Sequence, residues 1–213
     1  MNAIYRDRAD AGRRLAALLS AYAGRHDTLV LGLPRGGVPV ACEVARALTA
    51  DLDVFLVRKL GVPGREELAL GAIATGGVRV LNEGIVRALH IAPEAIDAVT
   101  AAQERVLRQR ERLYRDDAPL PQIRNQTVML VDDGMATGAT MLAAVAALRQ
   151  QAPAHLIAAV PVAAESTCRE VAAEVDEMIC AATPDPFYAV GLWYDDFGET
   201  TDDEIRRLLG AGV

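Results

Sequence analysis

Residues 127–140 read TVMLVDDGMATGAT. The first five, Thr127 to Val131, are an apolar run of strand type, and two adjacent carboxylates follow, Asp132 and Asp133. A loop holding Gly134, Met135, Ala136, Thr137, Gly138, Ala139 and Thr140 then leads into helical spacing that continues to about Gln150. A strand that enters a helix through such a loop aims the free N–H groups of the first helical turn at the loop. That arrangement suits a phosphate, with the hydroxyls of Thr137 and Thr140 as further donors. The segment lacks the lysine of a GxxxxGK[ST] loop and the spacing of GxGxxG. Two acids at its head would repel a second phosphate but accept hydrogen bonds from the vicinal hydroxyls of a ribose. The residues therefore point to ribose 5-phosphate in some form; the competing reading is a plain strand-to-helix turn with Asp caps.

Upstream the same order repeats. Thr28 to Leu33 (TLVLGL) is an apolar run stopped by Pro34 and by Gly36 and Gly37, with helical spacing after it at Val40, Val44 and Leu48. Leu52 to Val57 (LDVFLV) is the next strand, ending in Arg58 and Lys59. The Gly and Pro content of the following GVPGREE argues against regular structure, and Gly76 and Gly77 between alternating segments predict a hairpin over 72–81. An amphipathic helix is expected over 10–22, with Leu15, Leu18, Leu19 and Tyr22 on one face. A long solvated helix is expected over 93–115, its narrow stripe made by Ile96, Val99, Val106, Leu107 and Leu113. Downstream, strands at 155–160 and 177–181 flank a helix at 166–175, and Thr201 three residues before Glu204 is a capping box for a final helix. Alternating strands and helices predict an α/β fold, a mostly parallel twisted sheet flanked by helices in a single domain over 1–213, with ligands at the carboxyl ends of the strands.

Bulk properties agree with that class. The chain has 213 residues, 52% hydrophobic and only 4% aromatic, enough for one core without a metal or disulfide staple. A net charge of -7 and the lack of a basic stripe with interleaved aromatics speak against nucleic acid as a partner. Charges at the amino terminus and the lack of an 18-residue apolar stretch predict a cytoplasmic protein with no membrane partner. Cys42, Cys168 and Cys180, an odd number with no CxxC pair, read as buried thiols of a reducing compartment. Lys59 is the single lysine among 22 basic residues, a hint that an ammonium serves a purpose there.

The segment VDDGMATGAT resembles the phosphoribosyl pyrophosphate (PRPP) signature of the type I phosphoribosyltransferases, and the chain's order of parts resembles predicted bacterial members of that family. The resemblance implies that Asp132 and Asp133 take the ribose hydroxyls while residues 134–140 hold the 5-phosphate. It implies that Arg35, Gly36 and Gly37 of LPRGGVPV, with Arg58 and Lys59, face the pyrophosphate. It places a flexible lid hairpin at about 61–81, where closure would exclude water, and a small hood to which the segment 184–213 contributes. The implied activity is transfer of the 5-phosphoribosyl group from PRPP to a nitrogenous base with release of pyrophosphate. Mg2+ is the implied cofactor, bound through the substrate's pyrophosphate and ribose oxygens with no direct protein ligand expected, Asp132 and Asp133 being the alternative direct ligands. Lys59 and Arg58 are the candidate catalytic residues, with Glu67 of the lid as candidate acid or base.

Two features bear on the acceptor. Ala136 stands where members acting on 6-oxopurines carry an Asp, and the wording of the motif is nearest the adenine branch, which favours a purine-like base mildly. Five of the nine aromatics lie in Pro184 to Glu199, and Phe187, Tyr188 and Trp193 are candidates for stacking on a base, with packing of the segment onto the sheet as the competing reading. The alternatives to a transferase, itself expected to be a homo-oligomer, are a non-catalytic PRPP-sensing regulator and a PRPP or sugar-phosphate hydrolase.

Overall fold

The structure, a computed structural model, describes residues 3–116 and 118–210. The ends of the expected 1–213 domain, including the tip of the 184–213 segment, lie outside the described residues. In chain order the elements are α1 (Arg8–Leu18), β1 (Thr28–Gly32), α2 (Gly37–Leu48), β2 (Asp51–Val54), β3 (Val57–Val62), β4 (Arg65–Ala74), β5 (Val78–Leu81), α3 (Glu83–Ala88), α4 (Pro93–Arg115), β6 (Thr127–Val131), α5 (Ala139–Gln150), β7 (His155–Val162), α6 (Glu165–Ala172), β8 (Glu177–Ala182) and α7 (Asp202–Gly210). Five strands form one parallel sheet in the order β2-β1-β6-β7-β8, and β3, β4 and β5 form a separate antiparallel sheet.

The parallel sheet is covered on both faces, which is why its central strands are continuous apolar runs. Alternation decides which side chain goes where. Val30, Met129, Val131 and Ile157 face the helices α1 and α2, packing on Leu15, Leu19, Val40, Val44 and Leu48. Leu29, Leu31, Val128, Leu130 and Leu156 face α5 and α6, packing on Met141, Val145, Leu148 and Val171. The antiparallel sheet has its own core, in which Leu60, Leu70 and Ile73 meet Ile96, Leu107 and Tyr114 of α4 and Ile205 of α7. Thr28 in β1 is 3% exposed and its hydroxyl has no hydrogen-bond partner among the described residues. Thr28→Val should therefore raise stability by about 1 kcal/mol, read as a higher denaturant midpoint at unchanged slope.

Several expectations are corrected. LDVFLV is not one strand: β2 ends at Val54, and the buried pair Phe55 and Leu56 turns the chain into β3. GVPGREE is regular rather than a loop, because the turn needs only Pro63 and Gly64, the latter at φ +74°, and the flanking residues pair as β3 and β4. Arg58 and Lys59 thus lie inside β3 and not at a strand end. Leu18 is 55% exposed because α1 ends there and a short 3-10 turn over Ser20–Tyr22 follows. On α4 the inward position near the carboxyl end is Tyr114, whose hydroxyl donates to Asp202 at 2.6 Å, while Leu113 faces out. Arg115, at the end of a run expected to be solvated, is buried against Asp53 at 2.8 Å. Cys168 and Cys180 form a disulfide between α6 and β8, leaving Cys42 as the free thiol. The pair forms because α6 packs on β8, the strand that follows it, which three cysteines at wide spacing do not reveal. The capping residue behaves as expected, Thr201 Oγ1 accepting from the Glu204 N–H at 3.2 Å. No helix among the described residues is long and apolar enough to cross a membrane.

Candidate active site

In the order β2-β1-β6-β7-β8 the chain leaves β1 toward β2 and leaves β6 toward β7, so the connections diverge between β1 and β6. The loops at the carboxyl ends of these two neighbours must separate there, and the crevice between them is where such sheets bind ligands. The two loops are LPRGG, residues 33–37, and DDGMATG, residues 132–138.

They touch closely. A Cβ built on Gly36 would lie 1.9 Å from Asp133 Oδ2, and one on Gly37 would lie 2.7 Å from the Val131 carbonyl oxygen. Side chains at either position would push the loops apart, so Gly36 and Gly37 serve close approach. The peptide between Pro34 and Arg35 is cis. The Gly37 N–H donates to the Leu33 carbonyl at 2.9 Å and is committed to the turn. The Arg35 guanidinium is paired with Glu199 from the segment before α7.

Asp132 and Asp133 stand at the mouth of β6. The Asp133 N–H donates to Asp132 Oδ1 at 2.9 Å, and Arg8 Nε of α1 donates to Asp133 Oδ2 at 2.8 Å. Burial, and then the charge of Asp133, push the Asp132 carboxyl well above the usual carboxylate range. Burial also raises Asp133, opposed by the hydrogen bond and charge of Arg8. The Tyr194 hydroxyl donates to the Asp133 carbonyl at 2.6 Å, and its own titration is pushed up, chiefly by burial.

These shifts have a sign. A carboxyl whose folded value lies above the ordinary 3.8 keeps its proton longer folded than unfolded, so its contribution to stability is present at low pH and is lost as pH rises through the folded value. Asp132→Asn keeps the shape and the Oδ1 acceptor while removing the charge. It should raise the unfolding temperature at about pH 8, change it little at about pH 4, and flatten the pH dependence between them.

Beyond the acids the loop enters α5. Gly138 has φ +68°, a conformation costly for other residues, and turns the chain into the helix. The cavity here, about 120 Å3, is lined by Asp132, Gly134, Met135, Ala136, Thr137, Gly138, Ala139, Thr140 and Met141. The first N–H groups of α5 have no intrahelical acceptor, as at any helix start, and Thr137 lies exposed at the same mouth, with Thr140 beside it on the cavity wall. Met135 differs from its neighbours: its side chain is in the core and its N–H donates to the Val162 carbonyl at 3.0 Å.

The remaining expected residues are more dispersed. Arg58 and Lys59 are successive residues of β3 and point to opposite faces of it. Arg58 Nε donates to Gln103 of α4 at 2.7 Å, and burial lowers its titration. Lys59 lies on the other face, with Nζ 3.9 Å from a carboxylate oxygen of the fully exposed Glu67 across the β3–β4 hairpin. Trp193 is 6% exposed and belongs to a core cluster with Tyr5, Val162 and Tyr194, against which Phe187 packs, whereas Tyr188 is 68% exposed. Arg8 gives no signal in the sequence, being one of many arginines in a charged stretch. Glu199 is equally silent.

Comparison with known proteins adds to this geometry. The family model described as "Phosphoribosyl transferase domain" matches residues 2–194. A Mycobacterium tuberculosis protein (strain ATCC 25618 / H37Rv), "Putative phosphoribosyl transferase Rv0571c", is 46% identical over 206 residues, covering 97% of this chain and 46% of that protein. The chain thus spans about half the length of the curated relatives it matches. The crystal structure of TT1426 from Thermus thermophilus superposes with a TM-score of 0.88 at 43% identity, covering 98% of each chain. A Neisseria gonorrhoeae protein solved with bound ppGpp has a TM-score of 0.50 at 14% identity, covering 100% of this chain and 99% of that one, a likeness of fold.

Proposed function

Since the chain belongs to the phosphoribosyl transferase domain family, we propose that it transfers the 5-phosphoribosyl group of PRPP to a nitrogenous base, purine-like by mild preference, releasing pyrophosphate. The observation that carries this reading is the junction of the paired acids Asp132 and Asp133 with the open amino terminus of α5, where Asp132 and the loop into the helix line one cavity. Asp132 and Asp133 accept the ribose hydroxyls. The N–H groups from Ala136 into α5, with the hydroxyls of Thr137 and Thr140, hold the 5-phosphate. Arg35, at the loop that touches Asp133, and Lys59 face the pyrophosphate.

In the transfer a bond forms between a ring nitrogen of the acceptor and the anomeric carbon, while the bond from that carbon to the pyrophosphate oxygen breaks. The leaving group takes the electron pair, and the acceptor nitrogen gives up its proton. Cations near the departing oxygens stabilise charge that develops only in the transition state. Arg35 can serve there once it exchanges Glu199 for the ligand, and Lys59 once it exchanges Glu67. Arg58, held by Gln103, contributes through the hairpin's position. Glu67 is the carboxylate paired with Lys59 and the candidate proton acceptor.

Two carboxylates beside a phosphate cradle fit Mg2+, which keeps a small protein donor set and takes its other ligands from substrate oxygens and water. When bound, the ion neutralises charge on the pyrophosphate. The base-consuming reaction is tested by following pyrophosphate release from PRPP and Mg2+ across a panel of purine and pyrimidine bases. Release that requires one base supports the transferase and names its acceptor. Release without any base would mark a hydrolase, and binding without release a sensor.

A further inference from the structure

Arg8 lies in the first turn of α1 and meets residues far from it in sequence. Its Nε donates to Asp133 Oδ2 at 2.8 Å and its Nη1 to the Gly198 carbonyl at 2.7 Å. The centre of its guanidinium lies 3.9 Å from the centroid of the Phe197 ring. The Arg8 and Asp133 side chains are 13% and 14% exposed. One planar group thus uses two edges and a face at once, which a lysine cannot do. Asp133 Oδ1 receives no donor among the described residues, while Oδ2 accepts from Arg8, the carbonyl accepts from the Tyr194 hydroxyl and the N–H donates to Asp132 Oδ1.

We infer that Arg8 is a positioning residue: by holding Oδ2 it fixes the Asp133 carboxylate with Oδ1 left for a ligand hydroxyl, and through Gly198 and Phe197 it fastens segment 197–199 beside that carboxylate. The ligand half of this inference rests on the reading of Asp133 as a ribose-binding acid. Without Arg8 the carboxylate is repelled by Asp132, turns freely about its Cβ–Cγ bond, and loses its link to the C-terminal segment. The same segment carries Glu199, the partner of Arg35, so Arg8 also sets where that anion stands.

The test compares wild type, Arg8→Lys and Arg8→Met in two measurements. Met keeps the bulk and helix propensity, whereas Lys keeps the charge, so a role in packing α1 alone would favour Met. In the ligand-free protein, amide hydrogen exchange at Asp196 and Gly198, whose N–H groups donate to the Arg6 carbonyl at 2.8 Å and to Asp196 Oδ1 at 3.0 Å, should speed up in Arg8→Met by about tenfold, as expected for loss of a charge-assisted hydrogen bond that fastens the segment, and by less in Arg8→Lys. Binding of PRPP with Mg2+, read by calorimetry, should weaken by about tenfold or more in Arg8→Met and recover in part in Arg8→Lys. Exchange unchanged in Arg8→Met, or Lys binding no better than Met, overturns the inference. Wild type that takes up no PRPP removes its ligand half together with the phosphoribosyl reading, whereas unchanged exchange overturns the link between Arg8 and the segment on its own.

Discussion

Gly36→Ala is expected to weaken PRPP binding by about tenfold or more while lowering stability by only about 1–3 kcal/mol, the usual cost of forcing one methyl into a packed place. The backbone of Gly36 is ordinary, with φ -64° and ψ -31°, so any residue can adopt it and the effect isolates contact from conformation. The new Cβ would lie 1.9 Å from Asp133 Oδ2, 2.6 Å from its Cγ and 3.2 Å from Arg8 Nε. The carboxylate cannot simply swing aside, because Oδ2 is held by Arg8 and the Tyr194 hydroxyl holds the carbonyl of the same residue. Relief must come from separating the two loops, which moves Arg35 away from the acids. Calorimetric titration of the variant beside a thermal melt reads both quantities. A folded variant with wild-type affinity would show that the contact between the loops does not shape the site.

Phe55→Ala should have the largest effect on stability, about 3–5 kcal/mol of a total on the order of 5–15. Phe55 is fully buried at the place where the parallel sheet hands the chain to the antiparallel one. Its N–H donates to the Gly32 carbonyl at 3.0 Å, and the next residue, Leu56, exchanges hydrogen bonds with Thr75 at 2.9 Å. The ring packs in the same cluster as Leu31, Leu33, Leu130 and Ala74, so its removal leaves a cavity bounded by β1, β6 and β4. A chemical denaturation series should show the midpoint falling steeply. A loss under about 1 kcal/mol would mean that the neighbours collapse into the space.

These two positions also show what could be read in advance. The central strands were legible because burial on both faces leaves only apolar residues, and TLVLG and TVMLV contain nothing else but Thr and Gly. The loop after β6 stood out because paired acids, glycines and threonines between an apolar strand and a helix are an uncommon combination, and the structure puts Gly138 at φ +68° and Asp132, Thr137 and Thr140 on one cavity wall. The break at Phe55 was not, since an apolar run looks the same whether it continues as a strand or turns into a second sheet. The hairpin of β3 and β4 was hidden by Pro63 and Gly64, which punctuate a tight turn as readily as a long loop. Contacts between distant segments left no trace at all: the Arg8 to Asp133 pair spans 125 positions, and nothing in RDRADAGRR singles out one arginine. The aromatic cluster was visible, but whether Trp193 faced a ligand or the core depended on where Tyr5 and Val162 would lie.

The same limits apply to charge. Arg58 and Lys59 are adjacent in sequence and invite treatment as a pair, yet a strand sends neighbours to opposite faces, and only Lys59 lies on the face away from α4. The acids, by contrast, are adjacent residues that leave a strand end, where the pleat no longer separates them. Their burial side by side disfavours two charges in the free protein, a cost that a ligand offering hydroxyls or a cation would relieve.

Ribose-phosphate binding at the paired acids is tested most directly by calorimetric titration of the wild-type protein, Asp132→Asn and Asp133→Asn with PRPP and Mg2+ at about pH 8. Saturable one-site binding is expected of wild type and a loss of about tenfold or more in each variant, with both variants folded and Asp132→Asn no less stable than wild type. Equal affinity in all three proteins, or no binding by folded wild type, would contradict ribose-phosphate binding at these acids.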